Sequence, residues 1–163
     1  MISQKFHNMD DQGKRDHKTA LKQFALDLIS TRIRAAGQQA DQAQEAANQE
    51  EKSSAGDKYE TGRAMSQNQR DLYSRQQAEN ARELAALHQI KVDTLYSTAV
   101  TGAFIQCDGI GFFIAAGLGK QQLHDQTIFF LSPAAPLAKT LYQKRTGDSF
   151  VFNGRTFHIL DIF

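Results

Sequence analysis

Asp57 and Glu60 stand three residues apart in SSAGDKYETGRAM (53–65), just past Gly56, where one alanine- and glutamine-rich helical pattern stops and another starts. Residues three apart on a helix share a face, so both carboxylates can reach one ligand. Two such groups can hold a divalent cation, because Mg²⁺ takes one or two carboxylates and fills its other positions with water and phosphate oxygens. Inserted into another enzyme's site, the pair could supply the second ion of a two-metal phosphoryl reaction. The same spacing is also a capping box, with Asp57 accepting from a backbone amide in the first turn and Glu60 reaching back. Local sequence allows both roles.

Other candidate chemistry is thinner. GIGFFIAAGLGK (109–120) is glycine-rich, but Gln121 follows Lys120 where a phosphate loop needs Ser or Thr, and no long helix follows. Turns between strands explain those glycines better. Cys107 closes an apolar run with no histidine near it in sequence, the pattern of a small buried residue rather than a nucleophile. No C-x-x-C or H-x-x-x-H pair suggests a zinc site. Lys139, Lys144 and Arg145 form a basic cluster on a short predicted helix, either a solvated face or a surface for an acidic partner.

The chain of 163 residues has a formal charge of +1, so no global basic field draws it to nucleic acid. One cysteine cannot close an internal disulfide, which fits a reducing compartment. The opening MISQKFHNMDDQGKRDHK has no apolar run behind its charges, and no stretch reaches the ~20 apolar residues of a membrane span. A soluble cytoplasmic protein with no membrane partner is expected.

The elements that must position these residues follow from a change in composition near residue 93. Residues 1–92 hold thirteen glutamines, whereas 93–163 hold nine of the eleven phenylalanines and seven of the eleven glycines. A helical region (1–92) joined to a strand-rich one (93–163) is predicted. In the first, Leu21, Phe24, Leu28 and Ala35 recur at helical spacing, and Ala36, Ala40, Ala43 and Ala47 continue the stripe. A second helix carries Met65, Leu72, Ala81, Leu84 and Leu87. Together they read as an antiparallel hairpin with arms of ~34 residues, about 50 Å each, turning near 53–62. Its alanine-seamed end would be slender, a rod anchored at its Leu- and Phe-rich base, and a monomer is expected.

Beyond residue 93, five short runs read as strands: 99–107, 112–116, 127–131, 149–152 and 155–163. Asn153-Gly154 between the last two is a strong hairpin signal, since a type I′ turn needs φ > 0 twice. In PLAKTLYQKRTGD (136–148), Pro136 suits a first helical position and Gly147 a helix stop. The fold class is therefore α+β: a coiled-coil helical hairpin, then a small strand-rich domain with one short helix.

At these two places the chain resembles the bacterial Gre-family transcript cleavage factors. AGDKYETGRAM is similar to the family's tip pattern G-D-x-x-E-N-A-E-Y at Gly56, Asp57 and Glu60. SPAAPLAKTLYQKRTGD is similar to its C-terminal signature at Ser132, Pro136, Leu137, Ala138, Leu141, Tyr142, Gly147 and Asp148. The resemblance implies an FKBP-like C-terminal domain that docks at the secondary channel of RNA polymerase, and a coiled coil that reaches down that channel. Asp57 and Glu60 would then help bind an Mg²⁺ shared with the polymerase active site, which itself hydrolyses the backtracked transcript. On this reading the chain is an accessory factor that is not itself an enzyme, and it meets nucleic acid only inside the elongation complex. Pro136, Leu137, Lys139, Lys144, Gly147 and Asp148 would lie in the docking surface. Thr61-Gly62-Arg63-Ala64 replaces the family's N-A-E-Y, and Ala135 replaces a serine. Those departures motivate an alternative, a channel-binding regulator without cleavage. A prolyl isomerase or peptide-binding module is a third reading, from the implied domain type and the Phe-rich strands.

Overall fold

The structure, a computed structural model, describes residues 9–52 and 57–163, and side chains for 9–49 and 62–163. Two long helices come first, α1 (Asp11–Lys52) and α2 (Asp57–His88). Six strands follow: β1 (Phe104–Cys107), β2 (Ile110–Ile114), β3 (Gly119–Leu123), β4 (Gln126–Leu131), β5 (Ser149–Phe152) and β6 (Arg155–Ile162). A short helix, α3 (Pro136–Leu141), lies between β4 and β5. The architecture is α+β. By contacts the chain forms two compact units, one of the described residues up to Leu26 with Ala86–Phe163, the other Asp27–Ala85. The composition change at residue 93 falls inside the first unit.

In the first unit the strands form one mixed sheet in the order β3-β4-β2-β1-β6-β5, with β2 and β4 parallel and every other pair antiparallel. All four residues of β1 are buried, as are the last four of β2, so both faces of the sheet centre are covered. One face carries Phe104, Phe113, Phe130 and Phe163 and receives the start of α1. The His17 ring lies 4.8 Å from that of Phe104, and Phe24 lies 5.8 Å from Phe130. The other face holds Ile105, Cys107, Phe112, Ile114 and Ile159, closed by Ala138 and Leu141 of α3. Each buried aromatic contributes about 1.5–3 kcal/mol. Pairing of Phe104 with Phe163, each amide donating to the other's carbonyl at 2.7 and 3.0 Å, ties the last residue into the sheet.

α1 starts where Asp10 can cap it: its Oδ1 accepts from the Gly13 amide at 2.8 Å. Three cations of α1 then satisfy carbonyls at the end of α2 and beyond. Lys22 Nζ donates to His88 O and Ile90 O, at 3.2 and 2.8 Å, where the orphan carbonyls of α2 and its negative dipole end lie. Arg15 Nε donates to Asp93 O at 2.9 Å and Lys18 Nζ to Thr94 O at 2.6 Å.

In the second unit the helices run antiparallel. Arg70 donates to Gln44, and a Cβ added at Gly37 would lie 3.5 Å from Gln77 Nε2. Seven residues down α1 thus match seven up α2. Ala36 and Ala47 are buried and Ala40 and Ala43 half-buried, as the alanine stripe implies. Ala35, Met65, Leu72 and Ala81 are exposed, contrary to the expected stripes, Met65 by 66% and Leu72 by 53%. The column of α1 that turns inward is Ile29, Ile33, Ala36, Ala40 and Ala43, one residue away from Ala35.

Two further expectations are corrected. The sheet has six strands, the extra one being β3, whose GKQQL lies outside the five predicted runs. α3 does begin at Pro136, but it ends at Leu141, and Gln143 (φ 62°) takes the left-handed position behind it. Gly147 (φ 92°) serves instead the turn into β5. The Asn153-Gly154 turn is as expected, with φ of 49° and 74° and Phe152 paired to Arg155.

Candidate functional site

Asp57 is the first residue of α2 and Glu60 its fourth, so both belong to the opening turn of that helix. Their side chains lie outside the described residues, as does all of 53–56. Carboxylates there complement the positive end of the helix dipole, which serves a cap and also weakens their hold on a cation. Among the described residues no group of three or more His, Cys, Asp or Glu could hold a metal ion. Arg63, which stands where the resemblance leads one to expect Glu, is exposed one turn further on.

The second candidate region, 136–148, is described throughout. Pro136 is exposed at the first position of α3, and Leu137 packs half-buried against the core cluster. No side chain caps α3: Ala135 holds the N-cap position with extended backbone (ψ 144°), while Ser132 Oγ accepts from the Ala134 amide at 3.3 Å. Thr140 donates to Pro136 O at 3.1 Å. Lys139 is exposed and Lys144 half-buried, with Lys144 O accepting from the Ala99 amide at 2.9 Å. Asp148 Oδ2 accepts from the Arg145 amide at 2.7 Å, and the Gly147 amide donates to Ile159 O at 2.8 Å. The segment is thus a pinned helix-and-turn whose polar side chains face outward. Pro136 and Leu137 share a groove of about 410 Å³ with Val151 and Phe152 of β5. Gly147 and Asp148 do not line it; they lead into β5.

The thiol and histidine chemistry considered from the sequence does not assemble. Cys107 is buried and its pKa is pushed up to about 12, first by burial and then by Asp108, so it stays a protonated core residue. Burial, with a smaller effect of His124, lowers His17 to about 4 and keeps it neutral. Lys18, fully buried with Nζ 4.6 Å from the Tyr96 ring centroid, falls to about 8 by burial, against a smaller opposing pull from Asp93. Sequence reading missed this clasp; the signal was Arg15, Lys18 and Lys22 on one helical face beside Leu21.

No helix of the described residues is long and apolar enough to cross a membrane. Compared with known proteins, the chain matches no family model, no curated protein and no solved structure.

Proposed function

We propose that the chain is a Gre-like elongation factor. It binds RNA polymerase at the secondary channel through its C-terminal, FKBP-like domain, and it stimulates cleavage of backtracked transcripts through Asp57 and Glu60. The observation that carries this reading is the pairing of two sequence features with their structural settings. The acids open α2, directly after the junction between two long helices. The segment similar to the family's C-terminal signature forms α3 and its following turn, with Pro136, Lys139, Gly147 and Asp148 exposed. In this role the acids would hold an Mg²⁺ only together with polymerase groups, since two carboxylates leave most of the coordination shell to other ligands.

Arg63 supports a second reading, in which the chain occupies the channel without stimulating cleavage. An exposed cation one turn from a carboxylate pair disfavours a bound metal and favours ion pairing instead.

Both readings require docking. The full chain should bind bacterial core polymerase at micromolar concentration, and Lys139→Glu combined with Pro136→Asp should weaken that binding without unfolding the protein. Failure of the intact chain to bind would overturn both.

A further inference from the structure

We propose that the groove between α3 and β5 takes an extended, acidic segment of a partner protein, added as a seventh strand on the free edge of β5. β5 ends the sheet and has one neighbour, β6. Phe152 pairs with Arg155 across the two-residue turn, and the Ile159 amide donates to Asp148 O at 2.9 Å. Phe150 and Phe152 therefore make the β6-directed bonds, by the alternation of antiparallel ladders, and the N–H and C=O of Ser149 and Val151 point away from β6. Val151 and Phe152 send their side chains to opposite faces, yet both line the groove, so it runs along the strand edge. Pro136, Leu137 and Thr140 form the opposite wall and Leu131 closes one side. A helix facing an edge strand across an apolar slot is the geometry in which peptides bind by strand addition.

The two edges of the sheet differ in the way this requires. The β3 edge presents Lys120, Gln121 and Gln122, polar residues that discourage pairing. β5 instead exposes 64% of Val151 beside the slot. Charge selects the occupant: between Ser132 and Leu160 stand Lys139, Lys144, Arg145 and Arg155 against one acid, Asp148, whose carboxylate is already bonded to the Arg145 amide. A segment alternating acidic and apolar residues would place its apolar side chains in the slot and its acids among these cations.

The inference rests on reading 136–148 as a docking surface, but not on polymerase as the partner. The test uses the full chain and two fluorescein-labelled peptides of about eight residues, one alternating Asp with Val and one alternating Lys with Val. The acidic peptide should bind at least roughly tenfold more tightly at low salt. It should slow hydrogen exchange of the Val151 amide and leave Lys120 unchanged. Lys139→Glu/Arg155→Glu, which leaves the strand intact, should reverse the preference. Equal affinity for the two peptides, an unprotected Val151 amide, or no binding up to about 1 mM would each overturn it. A chain that binds polymerase but not the peptide keeps the channel reading and loses this one. Binding of the peptide without polymerase has the opposite meaning.

Discussion

The two compact units use the same pair of helices in opposite ways. In the first, the start of α1 lies on phenylalanines, with His17 against Phe104 and Phe24 against Phe130, and α2 ends under the Lys22 ammonium. In most of the second, beyond Ile29 and Ile33 at its start, α1 offers Ala36, Ala40, Ala43 and Ala47, and α2 answers with half-buried Gly62, Ser66, Arg70, Tyr73 and Asn80. Alanine buries little area, and a polar seam adds little more, so this unit relies on helix propensity. Stability is then concentrated in the first unit, and the second opens locally at lower free energy. Amides of 30–49 and 62–80 should exchange faster than those of β1, β2 and β4, whose exchange should track global unfolding.

Substitutions sharpen that contrast, starting with the largest effect. Phe112 touches the rings of Phe129, Phe150, Phe152 and Phe157, so Phe112→Ala should cost about 3–5 kcal/mol in denaturant unfolding. Acid comes next. His17 titrates near 6.5 when unfolded and about 4 when folded, so the unfolded state binds the extra proton between these values. Stability is complete above pH 6.5 and should fall by roughly 2–3 kcal/mol as pH drops to 4, beyond what carboxylates contribute. His17→Phe keeps the ring contact and should flatten that slope. Gly111→Ala would place a methyl 2.5 Å from the buried Phe104 ring, costing about 1–3 kcal/mol without any change of backbone conformation. In the second unit, Leu72→Glu should stay within about 0.5 kcal/mol, because the side chain is already exposed. A large loss there would mean that Leu72 is covered in solution and that the unit packs differently.

Where the sequence was legible, one residue type had one physical use. Asn153-Gly154 can satisfy φ > 0 twice, and Pro136 starts a helix without needing an amide donor. Where several residues were equivalent, the pattern was ambiguous. Alanines at both 35 and 36, and at both 46 and 47, leave the inward column of α1 undetermined by composition, and Ala36 and Ala47 are the buried ones. β3 was missed because GKQQL has no apolar alternation; pairing with β4, from Gly119↔Phe130 to Leu123↔Gln126, makes it a strand. Its turn, His124-Asp125, takes φ of 49° and 63° without the glycine that signals such turns. The slot beside β5 was also invisible, because Leu131, Leu137 and Val151 meet only through the fold. Of the candidate site, the helical setting of Asp57 and Glu60 and the exposed helix-turn of 136–148 were legible.

The measurement that bears most directly on the proposed role is transcript cleavage on a stalled, backtracked elongation complex at fixed Mg²⁺. It compares the wild type with Asp57→Asn/Glu60→Gln, in which amides of the same shape remove the charge and keep part of any helix cap. The account predicts that the wild type stimulates cleavage and that the double variant binds the complex without stimulating it. Equal stimulation by both proteins, or none by a wild type that binds, would contradict a metal-organising role for the two acids.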